Sequence, residues 1–322
     1  MRKHKQNMIK SKLRELLGIE YPVLQGGMAW VADAQLAAAV SNAGGLGIIS
    51  AMNADAAWLV QEIAKYRAVC DKPFGVNIML MSPFADEVAL AVIREGAPIV
   101  TTGAGNPAKY MPDWIAAGIK VIPVVASVGV ARYVARRGAS AIIAEGGEAG
   151  GHIGDLSTMV LVPQVCDTVD IPVIAAGGIA DGRGVAAAFA LGASGVQMGT
   201  RFLAATECSI HPNYKRKVLE AHDIDTIATG RRLGHPVRSL KTPFSMAFAR
   251  MEYDSTLTNE QVEAKGAGAL RLAVKDGDEA LGCFMAGQCA ALVKSEMTAA
   301  DIILEVFGQA ESILERAGQW VS

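Results

Sequence analysis

One imidazole closes an apolar run in the middle of the chain: Ala144-Glu145-Gly146-Gly147-Glu148-Ala149-Gly150-Gly151-His152. His152 is the only histidine between His4 and His211, so acid–base chemistry by imidazole in that half of the sequence falls to it. Glycines 150, 151 and 154 leave its ring unshielded and able to reach a ligand. Glu145 and Glu148 are the neighbouring carboxylates; one could orient the ring, or both could be solvated or bound to backbone N–H groups. Two further stretches, Ala176-Gly177-Gly178-Ile179-Ala180-Asp181-Gly182 and Gly199-Thr200-Arg201, each follow a short apolar run. Convergent backbone N–H groups without blocking side chains are what a phosphate needs. Either stretch alone could be a tight turn; the pair favours a phosphate site.

Asn77 interrupts the run Gly75-Val76-Asn77-Ile78-Met79-Leu80. An amide there donates and accepts at once, which suits the edge of a flavin ring or its ribityl chain, and suits a strand-end cap equally well. Gln25-Gly26-Gly27-Met28 leaves backbone N–H groups able to approach a flat ring, or forms an ordinary turn. His211, His222 and His235 are too irregularly spaced for a metal site, and no metal is expected. The sequence holds no nucleophile elbow, no GxGxxG and no P-loop.

These residues need a scaffold, and a repeating pattern supplies one: a helical stretch, a glycine break, then a short β-branched run. Strands are expected at residues 21–25, 46–49, 74–78, 99–102, 121–125, 141–144, 172–175 and 196–198. Eight continuously apolar strands, each followed by a helix-length gap, predict an α/β fold of the TIM (β/α)8 barrel type, with its site in the loops after the strands. A doubly wound open sheet is the alternative. Residues 1–210 with 281–322 are assigned to the barrel, and the more polar residues 211–280 to a smaller lid inserted after strand 8. Helices are expected to start at Phe284 and at Ala299. Lys215-Arg216-Lys217, Arg231-Arg232, Arg238 and Lys241 make the lid basic, which suits a solvated face, an acidic partner or a cofactor phosphate.

Composition sets the outer bounds. With 322 residues, 51% hydrophobic and 19% charged, the chain can bury a large core, and its 34 glycines suit close helix-on-strand packing. A formal net charge of −2 argues against nucleic acid as a partner. Five single cysteines without metal spacing fit a reducing cytoplasm. The basic start, Met1-Arg2-Lys3-His4-Lys5-Gln6-Asn7-Met8, lacks the apolar region of a secretory signal, and no apolar run reaches the ~18 residues of a membrane span.

Several segments together resemble the FMN-dependent enoyl-[acyl-carrier-protein] reductase II family (FabK), part of the wider nitronate monooxygenase (2-nitropropane dioxygenase) superfamily. They are Tyr21-Pro22-Val23-Leu24-Gln25-Gly26-Gly27-Met28-Ala29-Trp30-Val31-Ala32-Asp33, Lys72-Pro73-Phe74-Gly75-Val76-Asn77-Ile78-Met79-Leu80, and Val100-Thr101-Thr102-Gly103-Ala104-Gly105-Asn106-Pro107. Glu148-Ala149-Gly150-Gly151-His152, Pro172-Val173-Ile174-Ala175-Ala176-Gly177-Gly178, Gly199-Thr200-Arg201-Phe202 and Met285-Ala286-Gly287-Gln288 continue the likeness. Ser50-Ala51-Met52-Asn53 departs from it, and residues 229–258 match loosely.

The resemblance implies FMN, with NADH or NADPH as hydride donor and a trans-2-enoyl-acyl carrier protein as substrate in fatty-acid elongation. Gln25, Gly26, Gly27, Met28 and Asn77 would line the flavin; Gly177, Gly178, Gly199 and Thr200 would hold its phosphate; Met285, Gly287 and Gln288 would close over it. Glu145, Gly150 and Gly151 complete the expected cofactor-binding set, and His152 is the expected catalytic residue. A response to a monovalent cation, a homodimer and a cytoplasmic location are further expectations. The alternative activity is that of a nitronate monooxygenase, oxidising alkyl nitronates with O2.

Overall fold

The computed structural model describes residues 9–52 and 54–320. The basic N-terminal stretch, with His4, and Asn53 of the departing Ser50-Ala51-Met52-Asn53 segment lie outside the described residues.

Eight parallel strands form the centre: β1 (Val23–Gln25), β2 (Gly47–Ser50), β3 (Phe74–Met79), β4 (Ile99–Gly103), β5 (Lys120–Val125), β6 (Ile142–Glu145), β8 (Val173–Ala176) and β9 (Gly195–Met198). They neighbour one another in the order β1-β9-β8-β6-β5-β4-β3-β2. The ring closes where Leu24 bridges Leu46, with Gln25 N donating to Leu46 O (3.0 Å) and Leu46 N to Val23 O (2.9 Å). Closure removes both sheet edges, so the fold is a TIM-type barrel and not an open doubly wound sheet.

Two apolar layers hold it. Leu24, Leu46, Ile48, Ile99, Ile122, Ile143 and Ile174 form the inner cluster, which Leu13 and Leu17 of α1 (Lys12–Leu17) join. Ser11 caps this helix, accepting from Leu13 N at 3.0 Å. The outer layer packs α2 (Ala34–Asn42), α3 (Ala56–Val69), α4 (Ala85–Arg94), α5 (Met111–Ala116), α6 (Val128–Ala135), α7 (Thr158–Cys166) and α8 (Gly182–Ala190) around the strands. Strands buried on both faces must be apolar along their whole length, which is why they stood out in the sequence.

After β9 the chain passes through the short α9 (Thr200–Leu203) and α10 (Pro212–Leu219). A hairpin of β10 (Thr226–Thr229) and β11 (Val237–Leu240) follows, then α11 (Pro243–Met251), α12 (Asn259–Gly266) and α13 (Ala269–Arg271), with a π-helical turn at Leu272–Asp276. A long last helix, α14 (Ala299–Glu315), packs on α8 and α2 in the outer layer.

Two expectations are corrected here. The polar region contains strands: β11 pairs antiparallel with β10 and with a two-residue strand from the barrel loop, β7 (Gly151–His152). The helix expected from Phe284 is only a 3-10 turn at Gln288–Leu292. Its preceding residues stay extended because Leu240 N donates to Phe284 O (2.8 Å), Gly287 N to Thr200 Oγ1 (2.9 Å) and Gln288 N to Glu148 O (2.9 Å).

Candidate active site

The loops after the strands enclose a cavity of about 550 Å³. His152 reaches it through backbone pairing: His152 lies opposite Val237 of β11, and Ile153 N donates to Pro236 O (3.0 Å). The imidazole is thereby placed by strand registry and is not the mobile loop side chain its glycine neighbours suggested. Burial, and then the neighbouring His235, hold its pKa below the ordinary histidine value. At neutral pH the ring is therefore uncharged and can either donate or accept a proton.

Glu148 does not orient that ring. Its carboxylate accepts from Thr158 N and from Thr158 Oγ1, both at 2.9 Å, and so caps α7, whose own N-cap Ser157 makes no side-chain bond. Glu145 ends β6 and lines the cavity floor. Burial pushes its carboxyl up to about 7.

A carboxyl raised in this way binds its proton more tightly folded than unfolded. Its contribution to stability is full below the ordinary value of 4.5 and is lost as pH rises through about 7. Glu145→Gln, which cannot ionise, is expected to be more stable than wild type by about 1–2 kcal/mol near pH 8, a figure reduced for contact with cavity water, and about equal near pH 4. Urea unfolding at the two pH values measures this. A gain of the same size at both would show that ionisation is not the cause.

Asn77 is buried near the end of β3, where its Oδ1 accepts from Thr101 Oγ1 (2.9 Å), leaving its NH2 group without a protein acceptor. Gly27 packs directly on it: a Cβ on Gly27 would fall 2.4 Å from the Asn77 Cβ, so only glycine lets the two loops meet. The cavity is also lined by Gly26, Met28, Glu145, Gly150, Gly151, Gly177, Gly178, Gly199, Thr200, Met285 and Gly287. The 285–287 segment crosses close to Gly150, where a Cβ would sit 2.7 Å from the Ala286 carbonyl carbon, and Tyr214 Oη anchors it by donating to Met285 O (2.6 Å).

Two expected residues lie elsewhere. Gln25 is fully buried beneath the rim, its amide donating to Gly26 O and accepting from Ile48 N (3.1 Å), so it braces β1 against β2 and does not line the cavity. Gln288 contributes its backbone to the tie with Glu148, and its side chain is exposed to solvent. Gln197, which sequence reading passed over, does line the cavity: it is buried on β9, and its side chain makes no hydrogen bond within the chain. An amide interrupting an apolar strand is the signal that singled out Asn77, and it was present at Gln197 as well. Trp30 (φ 64°) and Ala104 (φ 51°) also line the cavity, in a backbone region that non-glycine residues seldom occupy.

The basic stretch of the lid is largely neutralised. Lys215 pairs with Glu296 (2.6 Å), Arg216 and Lys217 with Glu279, and Arg231 with Asp155 (3.0 Å). Arg232 donates to Asn259 Oδ1 and to Asp254 O, both at 2.9 Å, and Arg238 to Gly147 O (3.1 Å). Lys215, Arg216, Lys217 and Arg231 thus meet carboxylates distant in sequence, whereas Arg232 and Arg238 bond neutral oxygens and keep their charge uncompensated by them. All five cysteines are free, and no group of three or more His, Cys, Asp or Glu side chains able to hold a metal occurs among the described residues.

A closed parallel barrel thus gathers buried amides, glycine loops and one imidazole around a cavity in the loops after its strands, where barrel enzymes carry their active sites. The chain belongs to the nitronate monooxygenase family, whose model matches residues 10–308. It is similar to FabK from Thermotoga maritima, at 49% identity and a TM-score of 0.95 over 98% of this chain and 100% of that one. A nitronate monooxygenase of Paraburkholderia phytofirmans is 34% identical across 97% of this chain and 98% of its own. The (3aS,4S,5R,7aS)-5-hydroxy-7a-methyl-1-oxo-octahydro-1H-indene-4-carboxyl-CoA dehydrogenase of Mycobacterium tuberculosis is 44% identical over 237 residues, 73% of this chain and 67% of that protein.

Proposed function

We propose that this protein is an FMN-dependent enoyl-[acyl-carrier-protein] reductase, using NADH or NADPH to reduce the 2,3-double bond of a trans-2-enoyl thioester. The observation that carries this reading is the near-complete structural likeness to the Thermotoga maritima FabK. The cavity fits the cofactor on its own terms. Asn77 and Gln197 bring buried amide groups without protein acceptors to its wall, which suits the alternating polar atoms along an isoalloxazine edge. Gly177, Gly178, Gly199 and Thr200 bring together the glycine loops suited to the phosphate. Bound FMN would supply the hydride transfer between nicotinamide and thioester.

The chain's own residues do the remainder. The uncharged His152 holds one N–H at the cavity wall and delivers that proton to the substrate Cα while taking another at its second nitrogen, or donates a hydrogen bond to the thioester oxygen. Met285 and Gly287 cover the cavity from one side. Residues 211–280 act as the lid, because β11 of that region sets the registry of His152. Adding hydride at Cβ and a proton at Cα requires both ends of the alkene to be fixed at once, which a pre-formed wall achieves at low entropic cost. We assign the working protein as a cytoplasmic homodimer responsive to a monovalent cation on the resemblance alone. No helix among the described residues is long and apolar enough to cross a membrane.

A second reading is nitronate monooxygenase activity. The family model over residues 10–308 favours it, and an uncharged His152 also suits a base that takes a proton from the parent nitroalkane. An anaerobic assay separates the two. NADH oxidation driven by crotonyl-acyl carrier protein or crotonyl-CoA supports the reductase. O2-dependent turnover of propionate 3-nitronate, with no response to either thioester, overturns it.

A further inference from the structure

The lid brings a second imidazole to the site. His235 lies at the end of the β10–β11 turn, beside Pro236, whose carbonyl holds Ile153. Its ring centroid is 6.3 Å from that of His152, with the planes inclined by 48°. Nδ1 of His235 is buried and has no hydrogen-bond partner, while Nε2 lies 3.8 Å from the Glu263 carboxylate on α12. The His235 side chain is 29% exposed and that of Glu263 is 68% exposed. His152 lines the cavity, His235 neighbours His152, and Glu263 neighbours His235 on the solvent side, so the three succeed one another from cavity to surface.

We propose that His235, backed by Glu263, is the relay that replaces the proton of His152 as it is given up in each reduction. The inference rests on the reading of His152 as the group that protonates the substrate Cα. A wall covered by the lid must be resupplied, since every reduction consumes one proton there. The transfer balances with both rings uncharged. His152 gives the proton on one nitrogen to Cα and takes one at its other nitrogen, through a single bridging water, from His235, which is refilled from solvent beside Glu263. No electrons move in these steps. The ring separation is a little beyond a direct N–H···N bond and within reach of one water.

The charged groups on the flanking segments are already engaged. Arg231 pairs with Asp155, Arg232 N donates to Glu252, and Arg238 donates to Gly147 O. Among the described residues, His152 by ring contact and Glu263 by ion pair are the titratable groups that His235 meets. At 6.3 Å between centroids the two rings are close enough that charge on His235 disfavours charge on His152. A histidine that only packs would have both nitrogens on partners; here one has none.

The test uses flavin-loaded wild type, His235→Gln and Glu263→Gln in stopped flow, with the two half-reactions measured apart. His235→Gln is expected to slow oxidation of the reduced enzyme by crotonyl-CoA about tenfold, to increase the D2O effect on that step, and to change reduction by NADH less than about twofold. Glu263→Gln gives a smaller loss in the same step, and added imidazole restores His235→Ala. Unchanged thioester rates, or equal losses in both half-reactions, overturn the relay. An arm without turnover follows the His152 ring by histidine-labelled NMR. Its titration should move up in His235→Gln, and an unmoved titration also overturns the relay. If wild type ignores every enoyl thioester, it is the reductase reading that fails, and the NMR arm still decides whether the rings are coupled.

Discussion

Replacing His152 with alanine should lower enoyl-thioester reduction by about 10²- to 10⁴-fold while leaving flavin bound. The size is that of removing one positioned proton donor from the cavity wall. His152 is the only imidazole lining the cavity among the described residues, and Glu148 is committed to the start of α7. Glu145 sits on the floor at the end of β6, and its proton is held near neutrality by burial alone. Cofactor retention follows from the same geometry, because the amides and glycine loops belong to β3, β8 and β9 and do not depend on the imidazole. Steady-state kcat/KM with crotonyl-CoA and the flavin absorbance of the purified variant measure the two halves. Full turnover in His152→Ala would falsify the assignment of the proton to this ring, whereas loss of flavin would show that His152 holds the lid pairing together.

The barrel was legible because parallel strands buried on both faces leave a continuous apolar trace, and all eight appear within a residue or two of their expected places. The β10–β11 hairpin left no such trace. Thr226, Ile227, Ala228, Val237 and Arg238 are only partly buried, and nothing in four-residue polar strands announces a partner on the barrel loop. The setting of the basic residues was hidden for a related reason: charge is read locally, but Glu279 and Glu296 come from far along the chain to meet Lys217 and Lys215. His235 was dismissed for its spacing, which is sound for a metal site and irrelevant to a contact made by strand registry. At the cavity wall, the types of residue were readable and their depth was not. Gln25 and Gln197 are both polar interruptions of apolar strands, yet one braces the rim from beneath and the other faces the cavity.

Gly177→Ala is expected to weaken FMN binding by about 100-fold, the second large effect. Gly177 follows β8 at φ 93°, a region that costs an L-residue roughly 1–2 kcal/mol. A methyl group there would also sit 2.8 Å from Gly146 O and 2.9 Å from Thr158 Oγ1. Neither neighbour can retreat. Gly146 is tied to Ala176 O at 2.9 Å, and Thr158 is fixed by Glu148 at the head of α7. The loop must therefore reshape, and with it the N–H groups read as the phosphate cradle. Strain and lost donors together amount to about 3 kcal/mol, or two powers of ten in affinity. Gly178→Ala provides the comparison: it is also left-handed, at φ 73°, but its methyl would meet only the Glu148 Cβ at 3.3 Å. Flavin fluorescence titration of the two apo variants should give a markedly larger loss at position 177, with far-ultraviolet circular dichroism unchanged in both. Equal affinities for FMN would mean that the phosphate is held elsewhere on the rim.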